Sequence, residues 1–233
     1  MNQKDNSFDF RMIDLINSDI EKIKNTLNQT NYTIERSNNR EYSVLIVDLM
    51  GQVTFGEMEN LIMILKSPES SYGVWVSFIA EEHKGLFEIP EKVIKACKML
   101  KGNIDFSFSY LGIDEDYFQS KCDLEGPGVY YSLFLQNAIS NELDDIKEAF
   151  KDEEFDDYFK NIRGKEELLL PRHDSKLLEK LQEYMRQKPE MMFGLGVHFV
   201  TENDMDGFTV PEEIRGILRL TTGAVSFSYR VIP

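Results

Sequence analysis

Three histidines, His83, His173 and His198, and two cysteines, Cys97 and Cys122, are the side chains best suited to nucleophilic or metal chemistry. No His-x-x-x-His or Cys-x-x-Cys spacing connects them, so no metal-ligand set is written in the sequence. A Ser–His–Asp or Cys–His arrangement meets only in space and leaves no required spacing, and there is no nucleophile elbow. His173 precedes Asp174 at a helix start and reads as a surface residue. Cys97 falls in the apolar run Val93, Ile94, Cys97 and Leu100 and reads as a core thiol. Asp114-Glu115-Asp116 with Glu125 imitates positions 1, 3 and 12 of a calcium-binding loop. Phe118 and Gln119 stand where that loop needs a ligand and a glycine, so the match fails. Asp204-Met205-Asp206-Gly207 reads as a turn. Gly194-Leu195-Gly196 lies inside an apolar strand run and opens no helix, so it is not a phosphate loop. The sequence therefore points to no catalytic residue, no metal and no cofactor.

Acidic residues are the other chemistry on offer. The chain of 233 residues has 26 Lys+Arg against 41 Asp+Glu, a formal charge of -15. A general binder of nucleic acid or of an anionic membrane needs the opposite balance. Residues 113–157 hold fourteen acids against Lys121, Lys147 and Lys151, so this fifth of the chain carries most of the charge. Acids at 144, 145, 148 and 152 share a helical face at spacings where they repel. Aromatic residues are interleaved with them, among them Phe150, Phe155, Tyr158 and Phe159. A concentrated negative patch with apolar anchors suits a basic protein surface, because it steers the partner from a distance and then holds it by aromatic burial. The expected partner-binding residues are Asp144, Asp145, Glu148, Asp152, Glu153, Glu154, Phe155, Asp156, Asp157 and Tyr158.

An internal repeat shows which elements must position these groups. Residues 74–110 align without a gap on 195–231, at an offset of 121, with nine of 37 positions identical. The identities include Val76/Val197, Phe78/Phe199, Pro90/Pro211, Glu91/Glu212, Gly102/Gly223, Phe106/Phe227 and Ser107/Ser228. Each copy reads as a strand, a polar loop, a helix opened by Pro and Glu and stopped by Gly, and a second strand with strict alternation. Upstream, Tyr42–Leu49 and Val129–Leu135 read as strands. Phe55–Leu65 and Leu143–Phe150 read as helices after Thr54 and Ser140 as caps. Met12, Ile13, Leu15, Ile16, Ile20, Ile23 and Leu27 read as one amphipathic helix. Thr33–Arg36 is placed to pair with Tyr42–Leu49.

The predicted class is α+β, an α/β sandwich of two related strand-helix-strand-helix-strand halves packed as a pseudo-two-fold pair, plus an N-terminal helix. The boundaries that follow are 1–40 for the N-terminal helix and hairpin strand and 41–112 for the first repeat. An acidic linker at 113–127 leads to the second repeat at 128–233. That repeat carries a helical insertion at 151–190, with a helix capped by Asp174. No apolar run reaches the roughly 20 residues of a membrane span, and residues 1–10 lack the apolar stretch of a signal peptide, so the expected location is the cytoplasm.

The segments FEIPEKVIKACKMLKGNIDFSFSY and FTVPEEIRGILRLTTGAVSFSY resemble the C-terminal part of a bacterial α/β domain family of the toxin-immunity type, here in two tandem copies. The resemblance covers about 37 residues of each half. It implies an immunity protein of a bacterial toxin system and carries over no catalytic residue. The leading expectation is thus a non-enzymatic acidic inhibitor of a basic partner, such as a nuclease toxin or another nucleic-acid-handling enzyme. One alternative is a small-ligand sensor with Tyr72, Trp75 and His198 lining a groove between the halves. Another is an enzyme whose site assembles only in space.

Overall fold

The computed structural model describes residues 6–27, 30–36, 43–65, 70–82, 84–111, 124, 126–136, 142–150, 159–162, 165–171 and 174–232. They form an α+β protein with twelve strands, six helices and two six-stranded sheets. In chain order the elements are β1 (Ser7–Leu15), α1 (Asn17–Thr26), β2 (Tyr32–Arg36), β3 (Ser43–Asp48), α2 (Phe55–Ile64), β4 (Ser71–Ala80), β5 (Lys84–Glu88), α3 (Glu91–Met99) and β6 (Asn103–Tyr110). The same succession follows as β7 (Gly128–Leu135), α4 (Glu142–Ala149), β8 (Phe159–Ile162), β9 (Lys165–Leu170), α5 (Ser175–Gln187), β10 (Phe193–Thr201), β11 (Met205–Thr209), α6 (Glu212–Leu220) and β12 (Val225–Val231).

The first sheet has the order β11-β6-β4-β1-β3-β2 and the second β5-β12-β10-β7-β9-β8. The orders match strand for strand, except that β5 and β11 are exchanged. β5 follows β4 in the chain yet pairs antiparallel with β12, Phe87 opposite Phe227. β11 follows β10 yet pairs antiparallel with β6, Phe208 opposite Phe106. Each five-residue strand so completes the sheet of the other repeat. These segments read from sequence as polar loops, because their burial alternates exposed and half-buried and their partners are remote in the chain. Asp206 and Gly207 are accordingly strand residues and not a turn.

Residues 151–190, expected as an insertion, contain β8, β9 and α5, the counterparts of β2, β3 and α2. The offset of 121 continues through β3 and β9. Asp9 pairs with both Trp75 and Asp48, and Ser132 with both Gly196 and Leu169. This makes Asp48 the counterpart of Leu169 and Ile46 that of Glu167. Val129–Leu135 is consequently the counterpart of β1 and not of Tyr42–Leu49.

The expected N-terminal helix is also corrected. Met12, Ile13 and Leu15 lie on β1, and helix begins only at Asn17. A bulge interrupts the pairing with β3 between Met12 and Leu15, with Asp14 at φ 59° in the left-handed region. The extra residue returns Leu15 to the buried side, so the buried positions Met12 and Leu15 fall three apart and imitate helical spacing. Ser70 Oγ donates to the Asp14 carbonyl at 2.9 Å and helps hold the bulge. Thr33–Arg36 pairs with β3 as expected.

Helix starts follow the residue types. Thr54 caps α2 in a capping box, with Glu57 N–H donating to Thr54 Oγ1 (3.2 Å) and Thr54 N–H donating to Glu57 Oε2 (2.8 Å). Asp174 Oδ1 accepts from Leu177 N–H at the start of α5 (3.0 Å). Glu91 and Glu212 occupy the first turns of α3 and α6. Ser140 lies outside the described residues. The repeated glycines do not act as helix caps. α3 and α6 end at Met99 and Leu220 with Leu100 and Thr221 as C-caps. Gly102 faces the Tyr72 carbonyl and Gly73 the Asn103 carbonyl so closely that a Cβ fits at neither. Gly223 with the Phe193 carbonyl, and Gly194 with the Ala224 carbonyl, repeat that arrangement 121 residues on. These four glycines let the first residues of neighbouring strands approach backbone to backbone.

Each sheet has one apolar face. In the first, Phe8, Phe78, Phe106 and Phe208 form a run of ring contacts at 4.9–6.3 Å. In the second, Tyr131, Phe193, Leu195, Val197 and Phe227 are at most 2% exposed, and Tyr184 of α5 meets Phe193 edge-on at 6.5 Å. Alternation sends the intervening residues to the opposite face, where both sheets carry polar side chains.

Candidate functional site

α4 presents the described part of the acidic segment. Asp144, Asp145 and Glu148 are exposed on it, while Ile146 and Phe150 are buried. Period 3.6 places both sets at the spacing of an amphipathic helix. Phe150 packs against Tyr184 at 5.6 Å, so this aromatic anchors α4 to its own unit. Lys147 stands over the Phe159 ring at 4.9 Å. Asp152, Glu153, Glu154, Phe155, Asp156, Asp157 and Tyr158 lie outside the described residues, as do His83, His173, Cys122, 112–123 and Glu125.

The polar face of the second sheet holds a hydrogen-bonded row across four neighbouring strands: Ser228 of β12, His198 of β10, Ser132 of β7 and Glu167 of β9. Ser228 Oγ lies 2.7 Å from His198 Nδ1, and Ser132 Oγ lies 2.7 Å from His198 Nε2. Ser132 donates its hydroxyl hydrogen to Glu167 Oε2. With that hydrogen committed, Ser132 Oγ accepts from Nε2–H. Glu167 Oε2 is also 3.5 Å from Nε2. All four residues are buried, Ser132 completely. Gly196 makes the row possible, since a Cβ there meets Ser132 Oγ and His198 Nε2. The glycine pair that fails as a phosphate loop therefore has a packing reason.

This row contains serine, histidine and carboxylate without the geometry of a nucleophilic triad. In a triad, serine and carboxylate occupy opposite imidazole nitrogens, so that the carboxylate steadies the base while the base takes the serine proton. Here Ser132 and Glu167 share Nε2, and Nδ1 goes to Ser228. A completely buried Ser132 also offers its oxygen to no substrate. The arrangement satisfies four buried polar groups at once, which is a structural role.

The polar face of the first sheet carries a second row. Trp75 Nε1–H donates to Ser107 Oγ at 3.3 Å, and Ser107 and Ser77 share a hydroxyl hydrogen bond of 2.7 Å. The Arg11 guanidinium stacks over the Trp75 ring at 4.6 Å and donates from Nη2 to Asp9 Oδ2 at 2.9 Å. Ser7 Oγ donates to the same carboxylate oxygen at 3.3 Å. Trp75, Ser77 and Ser107 are half-buried. Tyr72, three residues from Trp75, points to the opposite face, where its ring lies 6.5 Å from Phe10. Tyr72 and Trp75 therefore do not line one wall, contrary to the sensor expectation.

Cys97 is the buried core thiol its sequence neighbours indicate, and burial pushes its pKa up to about 12. Among the described residues no three His, Cys, Asp or Glu side chains gather as a metal-binding group. Nor is any helix among them long and apolar enough to cross a membrane. Sequence reasoning singles out His198 and Trp75 but misses their partners. Ser132, Glu167, Asp9 and Arg11 come from strands with no fixed spacing to either. No family model matches the chain, and no curated protein and no solved structure matches it.

Proposed function

We propose that the chain is a non-enzymatic binding protein that neutralises a basic protein partner, as an immunity or anti-defence inhibitor of a nucleic-acid-handling enzyme does. The observation that supports this reading is the division of α4 into an exposed acidic side and a buried apolar side. Asp144 and Asp145 have no cationic partner among the described residues. Neighbouring acids that repel each other without an internal counter-charge are a cost to folding, which a cationic partner turns into attraction. The excess of acids over bases in 113–157 extends that field beyond α4. The geometry of the His198 row adds support, because the described Ser–His–Glu grouping is arranged for packing and not for nucleophilic attack.

The test is capture of the partner from the native host, followed by binding kinetics of wild type and of Asp144→Lys/Asp145→Lys/Glu148→Lys across a salt series. The reading expects a slower association rate and a shallower salt dependence in the variant. Equal rates and equal salt slopes contradict it.

A further inference from the structure

We propose that the polar face of the first sheet around Trp75 is a binding site for a small monocarboxylate. The inference is independent of the acidic surface of α4. It rests on a comparison that the repeat itself supplies, since the two polar rows stand on corresponding strands.

Ser107 and Ser228 are the same repeat position, as are Ser77 and His198, Trp75 and Gly196, and, by strand register, Asp9 and Ser132. In the second sheet the chain of donors ends on an acceptor, the Glu167 carboxylate, and every member is buried. In the first sheet the corresponding position is Ile46, which accepts nothing. Trp75 Nε1–H, Ser107 and Ser77 bring three hydrogens to two hydroxyl oxygens, so one hydroxyl hydrogen has no acceptor among the described residues. The nearby Asp9 carboxylate makes no hydrogen bond to that hydroxyl, and its Oδ2 takes Arg11 and Ser7. Arg11 has a second unmet donor in its buried Nε, while its side chain as a whole is 24% exposed.

An open row of this kind has the parts of a small-ligand site. With the Trp75 N–H committed to Ser107 Oγ, the donors it still offers are one serine hydroxyl hydrogen and the part-exposed Arg11 guanidinium beside the indole ring. The missing partner is an oxygen acceptor. Asp9 limits its charge, since a dianion beside that carboxylate meets repulsion that a single negative charge partly escapes through Arg11. A planar monocarboxylate has the two acceptor oxygens that a hydroxyl and a guanidinium call for.

Trp75 is the sole tryptophan, so its indole N–H gives a single resonance that reports on the site. The experiment titrates the full ¹⁵N-labelled chain with sodium acetate, with sodium chloride at matched ionic strength and inorganic phosphate as controls. The proposal expects a saturable shift of the indole resonance with acetate and none with chloride. Ser77→Ala is expected to weaken acetate binding roughly five- to tenfold. Phosphate, mostly a dianion at neutral pH, is expected to bind more weakly than acetate. Circular dichroism and the remaining amide spectrum establish that Ser77→Ala is folded. Should that variant not fold, Arg11→Gln takes its place, with weaker acetate binding again expected. No saturable shift at high millimolar acetate, or the same affinity in wild type and the folded variant, overturns the proposal. Tighter binding of phosphate than acetate overturns the assignment of a monocarboxylate. Partner capture through α4 is expected to be unchanged in Ser77→Ala, so failure of either proposal leaves the other standing.

Discussion

The two sheets share strand order, register and a polar face, yet they treat that face in opposite ways. The second sheet closes its row on Glu167 and buries all four members. The first leaves its row half-exposed around Trp75, with a hydroxyl hydrogen and an Arg11 donor unmatched among the described residues. Each strand position of the polar row occurs once in each sheet, and the two sheets fill it with different residues. The Trp75/Gly196 pair shows this most plainly, because the position that must be empty in one sheet carries the largest side chain in the other.

The largest expected effect comes from filling the space that the closed row needs. Gly196→Ala places a Cβ against Ser132 Oγ and His198 Nε2, and it is expected to cost about 3 kcal/mol by overpacking and by breaking the network. Glu167→Ala removes the terminal acceptor and leaves the buried Ser132 hydroxyl hydrogen without its partner, at about 2 kcal/mol. Both are read from urea unfolding midpoints. If either is neutral, the row does not hold the second sheet as described.

Titration sharpens the comparison from the core outward. The Cys97 thiol is neutral in the fold up to about 12, against an ordinary 9.0. A raised pKa stabilises the fold fully below pH 9.0, and that stability is lost as pH rises toward the folded value. Stability is expected to fall by about 1.4 kcal/mol per pH unit in this window. Cys97→Ala should flatten the alkaline limb at some cost in packing, and an unchanged limb contradicts the burial argument. Glu57 responds at the acid end. Hydrogen bonds from Thr54 N–H, Thr54 hydroxyl and Thr30 hydroxyl hold its carboxyl below the ordinary 4.5. Its contribution is present above pH 4.5 and is lost as pH falls through the lowered value. Glu57→Ala is expected to cost about 1 kcal/mol near neutrality and progressively less as pH falls below 4.5. The smallest effect belongs to α4, where Asp144→Lys with Asp145→Lys is expected to leave stability within about 0.5 kcal/mol of wild type.

Much of this was legible where residue type is forced by geometry. Pro90, Glu91 and Gly102 recur as Pro211, Glu212 and Gly223 because helix starts and a backbone close approach tolerate few substitutes. Upstream, β3 and β9 keep only their buried alternation, and Val47 against Leu168 carries no identity to see. The counterpart strands therefore read as an insertion. The bulge at Asp14 disguised a strand as a helix by setting Met12 and Leu15 three apart. The exchange of β5 and β11 had no local signal, because pairing with β12 or β6 is decided by the whole sheet. The closed row was invisible for a similar reason. His198 finds Ser132 and Glu167 only when three strands align, and no sequence spacing records that meeting.

The measurement that bears most directly on the contrast is a matched pair at one repeat position, Ser107→Ala and Ser228→Ala, each followed by urea unfolding. Ser228→Ala strands the buried Nδ1 of His198, whereas Ser107→Ala exposes the half-buried Trp75 N–H to water. The account predicts a loss of about 2 kcal/mol for Ser228→Ala and under about 0.5 kcal/mol for Ser107→Ala. Equal losses, or a larger loss at Ser107, would contradict the claim that the second sheet closes its polar row while the first keeps it open.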